Sequence, residues 1–209
     1  MRVDLHVHTN ASGDGKNTPV EMIAAAKRAG LGAIAITDHN TVEGWRNLKL
    51  SNGFVIIPGV ELDTDKGHVL VLGIEDVPPT KELIPLLEWA KDHNAIAIAA
   101  HIYDLPNRSP MGSYAFNHFR IIEGINGKCP ARLCRKVVRD AFRHKVKFVC
   151  NSDAHHVSEL GAFYNNVPGE TLEELLENIR KEHFEPRIHF PSPLDFVTRR
   201  LRLPLGRRR

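Results

Sequence analysis

Two histidines one residue apart, His6 and His8, end a short alternating segment at the start of the chain. In an extended strand that spacing puts both imidazoles on one face. Later apolar runs end in, or lead into, the same chemistry: His39 in ITDHN, Glu61 in PGVE, His101 in AIAIAAH, and Asp153 with His155 in NSDAH. His68 opens one more run, in KGHVL. Imidazole with carboxylate suits borderline divalent cations such as zinc, manganese or iron. The set exceeds what one tetrahedral ion needs, so it predicts a centre of two or three ions. A lone histidine at a strand end is more often a hydrogen-bonded polar cap; the recurrence on successive strand ends carries the argument.

Other candidates read differently. His93, His144, His183 and His189 fall on helices or late segments and read as solvated, while His118 and His156 fit either reading. Cys150 ends an apolar strand and reads as a buried hydrophobe. Cys129 and Cys134 lack the spacing of a zinc knuckle, and three cysteines make no disulfide framework. Lys16, Arg108, Arg120 and Lys128 are placed in or near the mouth of the site, where they could bind phosphate; solvated loop charge is the favoured reading for each.

The elements that must position these groups alternate along the chain. Residues 2–8 predict a half-buried strand, and apolar runs predict strands at 33–37, 54–57, 69–72, 95–100, 120–126 and 147–150. Thr18-Pro19-Val20-Glu21 and Thr171 with Glu174 are capping boxes that open helices. Further helices are expected at 41–50, 80–93 (with Pro85 kinking its first turns), near 114–118 and at 131–144. Apolar runs alternating with helices predict one α/β domain with a parallel sheet, closed as a barrel or open and doubly wound. In a barrel the C-terminal strand ends share one face, which would gather residues distant in sequence.

The 209 residues suit one domain, and no apolar run is long enough to span a membrane. The first residues do not read as a secretory signal, so a cytoplasmic location is expected. The formal charge of +3 is uneven: residues 199–209 hold six arginines and no acid, leaving residues 1–198 net acidic. That divides the chain into a domain, 1–198, and a basic tail that is solubilising or contacts nucleic acid. The stretch PSPLDFVTRRLRL fits a terminal amphipathic helix. Oligomeric state has no signal.

From Met1 to about Val167 the chain resembles the PHP (polymerase and histidinol phosphatase) family of metal-dependent phosphoesterases. The likeness runs through HVH (6–8), GDG (13–15), ITDHN (36–40), GVE (59–61), GHVLVLG (67–73), AAH (99–101), EGING (123–127) and NSDAH (151–155). It implies a distorted seven-stranded, TIM-like (β/α) barrel with up to three ions at the C-terminal strand ends. The implied ligands are His6, His8, Asp14, His39, Glu61, His68, His101, Asp153 and His155, with Glu61 bridging two ions and Asp38 outside the ligand set. His6, His8, Glu61, Asp153 and His155 are the implied catalytic core. The likeness is to the short stand-alone members.

The implied activity is hydrolysis of a phosphomonoester or phosphodiester, on a phosphorylated small molecule or nucleotide, by metal-activated hydroxide. The rivals are a nuclease helped by the basic tail, a metal-free binding subunit, and an amidohydrolase. An amidohydrolase commonly bridges its ions with a lysine where Glu61 stands here.

Overall fold

A computed structural model describes residues 1–48, 53–104 and 110–189. Nine strands occur among them: β1 (Arg2–Val7), β2 (Ala33–Ile36), β3 (Val55–Thr64), β4 (Gly67–Leu72), β5 (Ile96–Ala99), β6 (Ile121–Asn126), β7 (Lys147–Asn151), β8 (Phe163–Asn166) and β9 (Glu185–Ile188). They form one sheet in the order β7-β6-β5-β4-β3-β2-β1-β8-β9. The helices are α1 (Pro19–Arg28), α2 (Glu43–Arg46), α3 (Leu83–Asp92), α4 (Ala115–His118), α5 (Ala131–His144) and α6 (Leu172–Arg180).

The expected seven parallel strands are corrected to nine mixed ones. β1, β2 and β3 run parallel, as do β5, β6 and β7. β4 is antiparallel to both its neighbours. The reason is local: Asp65 and Lys66 alone join β3 to β4, and a link that short can only make a hairpin. β8 and β9 pair antiparallel at the far edge. Their four-residue sequences, FYNN and EPRI, hold too little apolar pattern to be read as strands.

The sheet curls into a nearly closed barrel, with β7 brought against β8 and β9. Asn165 of β8 spans the remaining gap. Its side-chain Oδ1 accepts from the Cys150 N–H at 2.9 Å, and its Nδ2 donates to the Cys150 carbonyl at 2.9 Å.

β1 corrects a second expectation. Its alternation does not separate core from water, because Val3, Asp4, Leu5, His6 and Val7 are all fully buried. The register with β2 shifts between Asp4 and Val7, so Val3 and Leu5 join the apolar cluster shared by β2 to β7, while Val7 packs with α1. One apolar cluster joins Val3, Leu5, Ile57, Leu70, Ile98 and Val149 of the barrel strands to Leu175, Leu176 and Ile179 of α6. Two others lie outside the barrel: α1 covers β1 and β2, and α3, α4 and α5 cover β4 to β6.

Both capping boxes form: Thr18 with Glu21, and Thr171 with Glu174. α5 spans the expected residues and ends on Lys145 at φ 57°. α2 is one turn, shorter than expected. The anticipated kink at Pro85 is absent for a physical reason. The helix starts at Leu83, so Pro85 falls among the first N–H positions, which have no intrahelical acceptor. The expected terminal helix, the arginine tail and Arg108 lie outside the described residues. Among the described residues no helix is long and apolar enough to cross a membrane.

Candidate metal centre

Glu61 organises the centre. It lies within β3, not at its end as the sequence suggested, because the strand runs on through Asp63 into the hairpin. Its two carboxylate oxygens face different imidazoles. Oε2 is 3.0 Å from His6 Nε2, 3.1 Å from His8 Nε2 and 3.5 Å from His39 Nδ1. Oε1 is 2.9 Å from His101 Nε2 and 3.0 Å from His68 Nδ1. The hairpin register sets the last contact, since Glu61 pairs with Leu70 and Asp63 with His68, which puts Glu61 and His68 two residues apart on one face.

His6 and His8 arrive together from β1, their Nε2 atoms 3.0 Å apart. Asp153 Oδ1 lies 3.3 Å from His8 Nε2 and 3.5 Å from His6 Nε2. His155 follows on the same loop, its Nε2 3.0 Å from Asp14 Oδ2, and His39 Nε2 is 3.5 Å from that same oxygen. All nine residues expected from the sequence therefore meet in one cluster. Seven of them form three groups able to hold an ion: His6, His8 and Glu61; His39, Glu61 and His68; and His8, Asp14, His39 and His155. His101 and Asp153 stand against these groups through Glu61, His6 and His8.

Two of these positions show a demanding backbone. His101 has φ 30° and Asp153 φ 55°, in the region L-residues seldom adopt. Such conformations persist only where the surroundings fix them, and they concentrate at functional sites. Asp14 depends on its neighbour. A Cβ added at Gly15 would stand 2.0 Å from the Thr9 carbonyl oxygen, so only glycine lets this loop fold back. The Lys16 N–H then donates to the His155 carbonyl at 2.8 Å, tying the Asp14 loop to the opposite rim.

The centre also holds groups that the sequence reading did not assign. Glu123 of β6 is buried; its Oε1 lies 2.9 Å from His6 Nδ1, and its Oε2 accepts from the His101 N–H at 2.9 Å. Asn126 donates to Glu123 and Asp153 at 2.8 and 3.0 Å, and Asn151 donates to Glu123 at 3.0 Å. Asp63 Oδ1 stands 3.5 Å from His39 Nδ1 and 3.4 Å from His68 Nε2. An acid inside the apolar strand IIEGIN was the available signal for Glu123. Asp38 stays outside the cluster: it accepts from the Thr9 N–H and hydroxyl at 2.6 and 2.8 Å.

The remaining candidates resolve by position. Arg120 precedes β6, hence lies at the opposite end of the barrel from the cluster, and pairs with Glu182 at 2.6 Å; its placement near the mouth is corrected. Lys128 pairs with Glu159. Lys16 is exposed and its side chain joins no ion pair among the described residues. His156 caps the turn at 157–159 through Ser158. His93, His118 and His144 stack on Trp89, Tyr114 and Phe116. The Cys150 thiol is buried, and burial pushes its pKa up.

Do these residues fit divalent ions? Three nitrogen and oxygen atoms of His6, His8 and Glu61 form a triangle with edges of 3.0 to 3.1 Å. Ligand atoms about 2.0–2.1 Å from a tetrahedral zinc are separated by roughly 3.3 Å, so the triangle nearly matches one face of such a shell. His6, His8 and His101 all turn Nε2 toward the Glu61 carboxylate, so their imidazole lone pairs converge where an ion would be held. The electrostatics agree. Burial opposes charge on His6, yet Asp153, Glu61 and Glu123 hold it well above its ordinary value. Burial also opposes charge on His8, which the carboxylates of Asp153 and Glu61 raise to about 9. Burial would raise Glu61, but His6, His101 and His68 keep it well below the usual range. His39 and His155 are shifted down, by burial first, with His8 adding to it. The interior thus demands positive charge, while the outer imidazoles favour the neutral form that ligates metal.

The chain is similar to known proteins in sequence and in fold. The PHP domain family matches residues 4–190. The uncharacterized protein MJ1587 of Methanocaldococcus jannaschii is 33% identical over 117 residues, 49% of this chain and 68% of that protein. A probable phosphatase of Clostridium botulinum strain Hall is 27% identical over 202 residues, 77% of this chain and 82% of that one. Among solved structures, a two-domain protein of Bacteroides vulgatus containing a predicted PHP-like metal-dependent phosphoesterase superposes with TM-score 0.69 at 19% identity. The match covers 90% of this chain and 65% of that longer one, and at this identity it speaks for the fold alone. Family match, fold and ligand cluster converge: the chain belongs to the PHP domain family.

Proposed function

We propose that the protein is a metal-dependent phosphoesterase that hydrolyses a phosphomonoester or phosphodiester at a centre of two or three divalent ions. The observation that carries this reading is the division of Glu61, one oxygen toward His6 and His8 and the other toward His68 and His101. Glu61 with His6 and His8 on one side, and with His68 and His101 on the other, would hold divalent cations, whose charge would stabilise the oxygens of an in-line displacement. Divalent ions bound there supply Lewis-acid charge to the phosphoryl oxygens and lower the pKa of water toward neutrality.

The residues of this chain hold and orient that chemistry. Glu123 fixes the ring of His6 through Nδ1, leaving Nε2 to face the centre. His6, His8, Glu61 and Asp153 are buried to within 1% and exclude water from the inner side. His39, His68 and His155, with side-chain exposures of 25%, 18% and 18%, form the open side with Asp14, so the ester approaches past them. That a carboxylate, not a lysine, sits between the imidazole sets supports phosphoester over amide chemistry. The family membership and the phosphatase-like relative support the same reading.

The test is a panel of sugar phosphates, nucleotides and short oligonucleotides assayed with manganese, zinc and magnesium. Hydrolysis that requires metal and disappears in His6→Ala/His8→Ala is expected. Full activity in that double variant, or protein purified without chelator that holds no transition metal, would overturn the assignment.

A further inference from the structure

α5 carries a surface that the centre does not use. Residues 128–147 hold eight Lys and Arg against one acid, Asp140, although the rest of the chain up to residue 198 has more acids than bases. The placement is ordered. Arg132, Arg135, Lys136, Arg139 and Arg143 recur at three- and four-residue spacing, so they share one face of the helix, and all five are exposed. The opposite face, Val137 and Ala141, is buried against the barrel.

Intramolecular pairing leaves this charge largely unspent. Asp140 is shared by Lys136, Arg139 and Arg143 at 3.9, 3.3 and 3.6 Å. Arg132 and Arg135 form no ion pair among the described residues. Phe142 projects from the same side with 73% of its surface exposed, braced edge-on by Phe148 at 5.9 Å between ring centroids. Lys136 Nζ lies 3.3 Å from the Tyr103 ring centroid, which extends the stripe to the loop after His101. The helix begins five residues after Asn126, which touches Asp153, so its first turn stands beside the mouth of the centre.

We propose that this face of α5 is a docking surface for the sugar–phosphate backbone of a single-stranded nucleic acid. A row of arginines offers bidentate donors to successive phosphates, and an exposed aromatic offers a platform for a base. An anionic membrane fits less well. A membrane-bound helix must present its apolar face to lipid, and here that face is packed on β6 and β7 while the free face carries a single large apolar side chain. The inference concerns binding and stands apart from which ester the centre hydrolyses.

The experiment uses the full chain, tail included, and fluorescein-labelled 12-mers of uridine or thymidine, with anisotropy read across a salt series. In Arg132→Gln/Arg135→Gln, loss of two phosphate contacts should weaken binding about tenfold near 0.15 M salt and reduce the slope of log K against log salt by about 1.4. Phe142→Ala should weaken it further. Lys81→Gln/Lys91→Gln, an equal charge change elsewhere on the surface, should leave binding unchanged. Hydrolysis of bis(p-nitrophenyl) phosphate should be the same in every variant. Equal binding by Arg132→Gln/Arg135→Gln, equal loss in the Lys81/Lys91 control, or tighter and arginine-dependent binding to phosphatidylserine vesicles would each overturn the proposal. If no variant or parent hydrolyses the ester yet binding still depends on Arg132 and Arg135, the surface is supported and the phosphoesterase reading fails alone.

Discussion

Asn165 makes with Cys150 the two hydrogen bonds that a neighbouring strand would have made. One amide side chain accepts from the Cys150 N–H and donates to its carbonyl, both at 2.9 Å, and also reaches Asn151 Oδ1 at 3.0 Å. The barrel closes there through a side chain where its backbone ladder stops. Cys150 is three residues before Asp153, so the same contact steadies the loop that delivers Asp153 and His155 to the centre.

Asn165→Ala should therefore be costly. It leaves a buried N–H and carbonyl of β7 unsatisfied, each worth about 1–3 kcal/mol. A loss of roughly 2–4 kcal/mol in urea-induced unfolding is expected, and a loss under 0.5 kcal/mol would show that the gap closes without this residue.

Glu123 is predicted to act through His6. Glu123→Gln keeps the shape but weakens the hold on the imidazole, and metal affinity should fall about 10–100-fold. Competition with a fluorescent zinc chelator measures this directly. Glu61→Gln should fall further, because Glu61 faces five imidazoles in place of one. Equal losses in the two variants would contradict the separate roles.

The proton balance of the centre follows from His8. With a pKa near 9 against an ordinary 6.5, it is protonated at pH 7.5 in the ion-free protein. A raised folded-state pKa means that its contribution to stability is complete below pH 6.5 and is lost as pH rises from 6.5 to 9. The chelated protein should thus melt at progressively lower temperature across that window. Metal binding needs neutral imidazole, so loading at pH 7.5 should release protons and tighten as pH rises. Calorimetry in two buffers of different ionisation enthalpy would detect the release; identical apparent heats would refute it.

Gly15→Ala tests the Asp14 loop. The added carbon would overlap the Thr9 carbonyl, and Asp14 would be displaced from His155 and His39 while the barrel stays folded. A displacement of about 1 Å at a catalytic group can cost about a hundredfold in rate. The expected result is that loss with an unchanged thermal midpoint. Unchanged activity would place Asp14 outside the working centre.

Much of this protein was decided by local sequence. Ligand chemistry, the capping boxes at Thr18 and Thr171, the full length of α5 and the apolar parallel strands are set by residue type and short-range period, which act before any long-range contact forms. The family motifs likewise named nine residues that the structure gathers into one cluster, seven of them in three groups able to hold an ion. Tertiary structure decided what depends on register and closure. Alternation in β1 could not show that both of its faces are buried, because burial is fixed by what packs on either side. FYNN and EPRI became strands only by pairing with β1 and with each other. Glu123 joined the centre because the curling of the sheet brings β6 to face β1, which sets its carboxylate against His6, a residue 117 positions away. The split of Glu61 between two imidazole sets is likewise a product of the β3–β4 hairpin and the approach of β1 and β5. Sequence spacing encodes the types and the faces; only the assembled barrel brings particular atoms to within 3 Å.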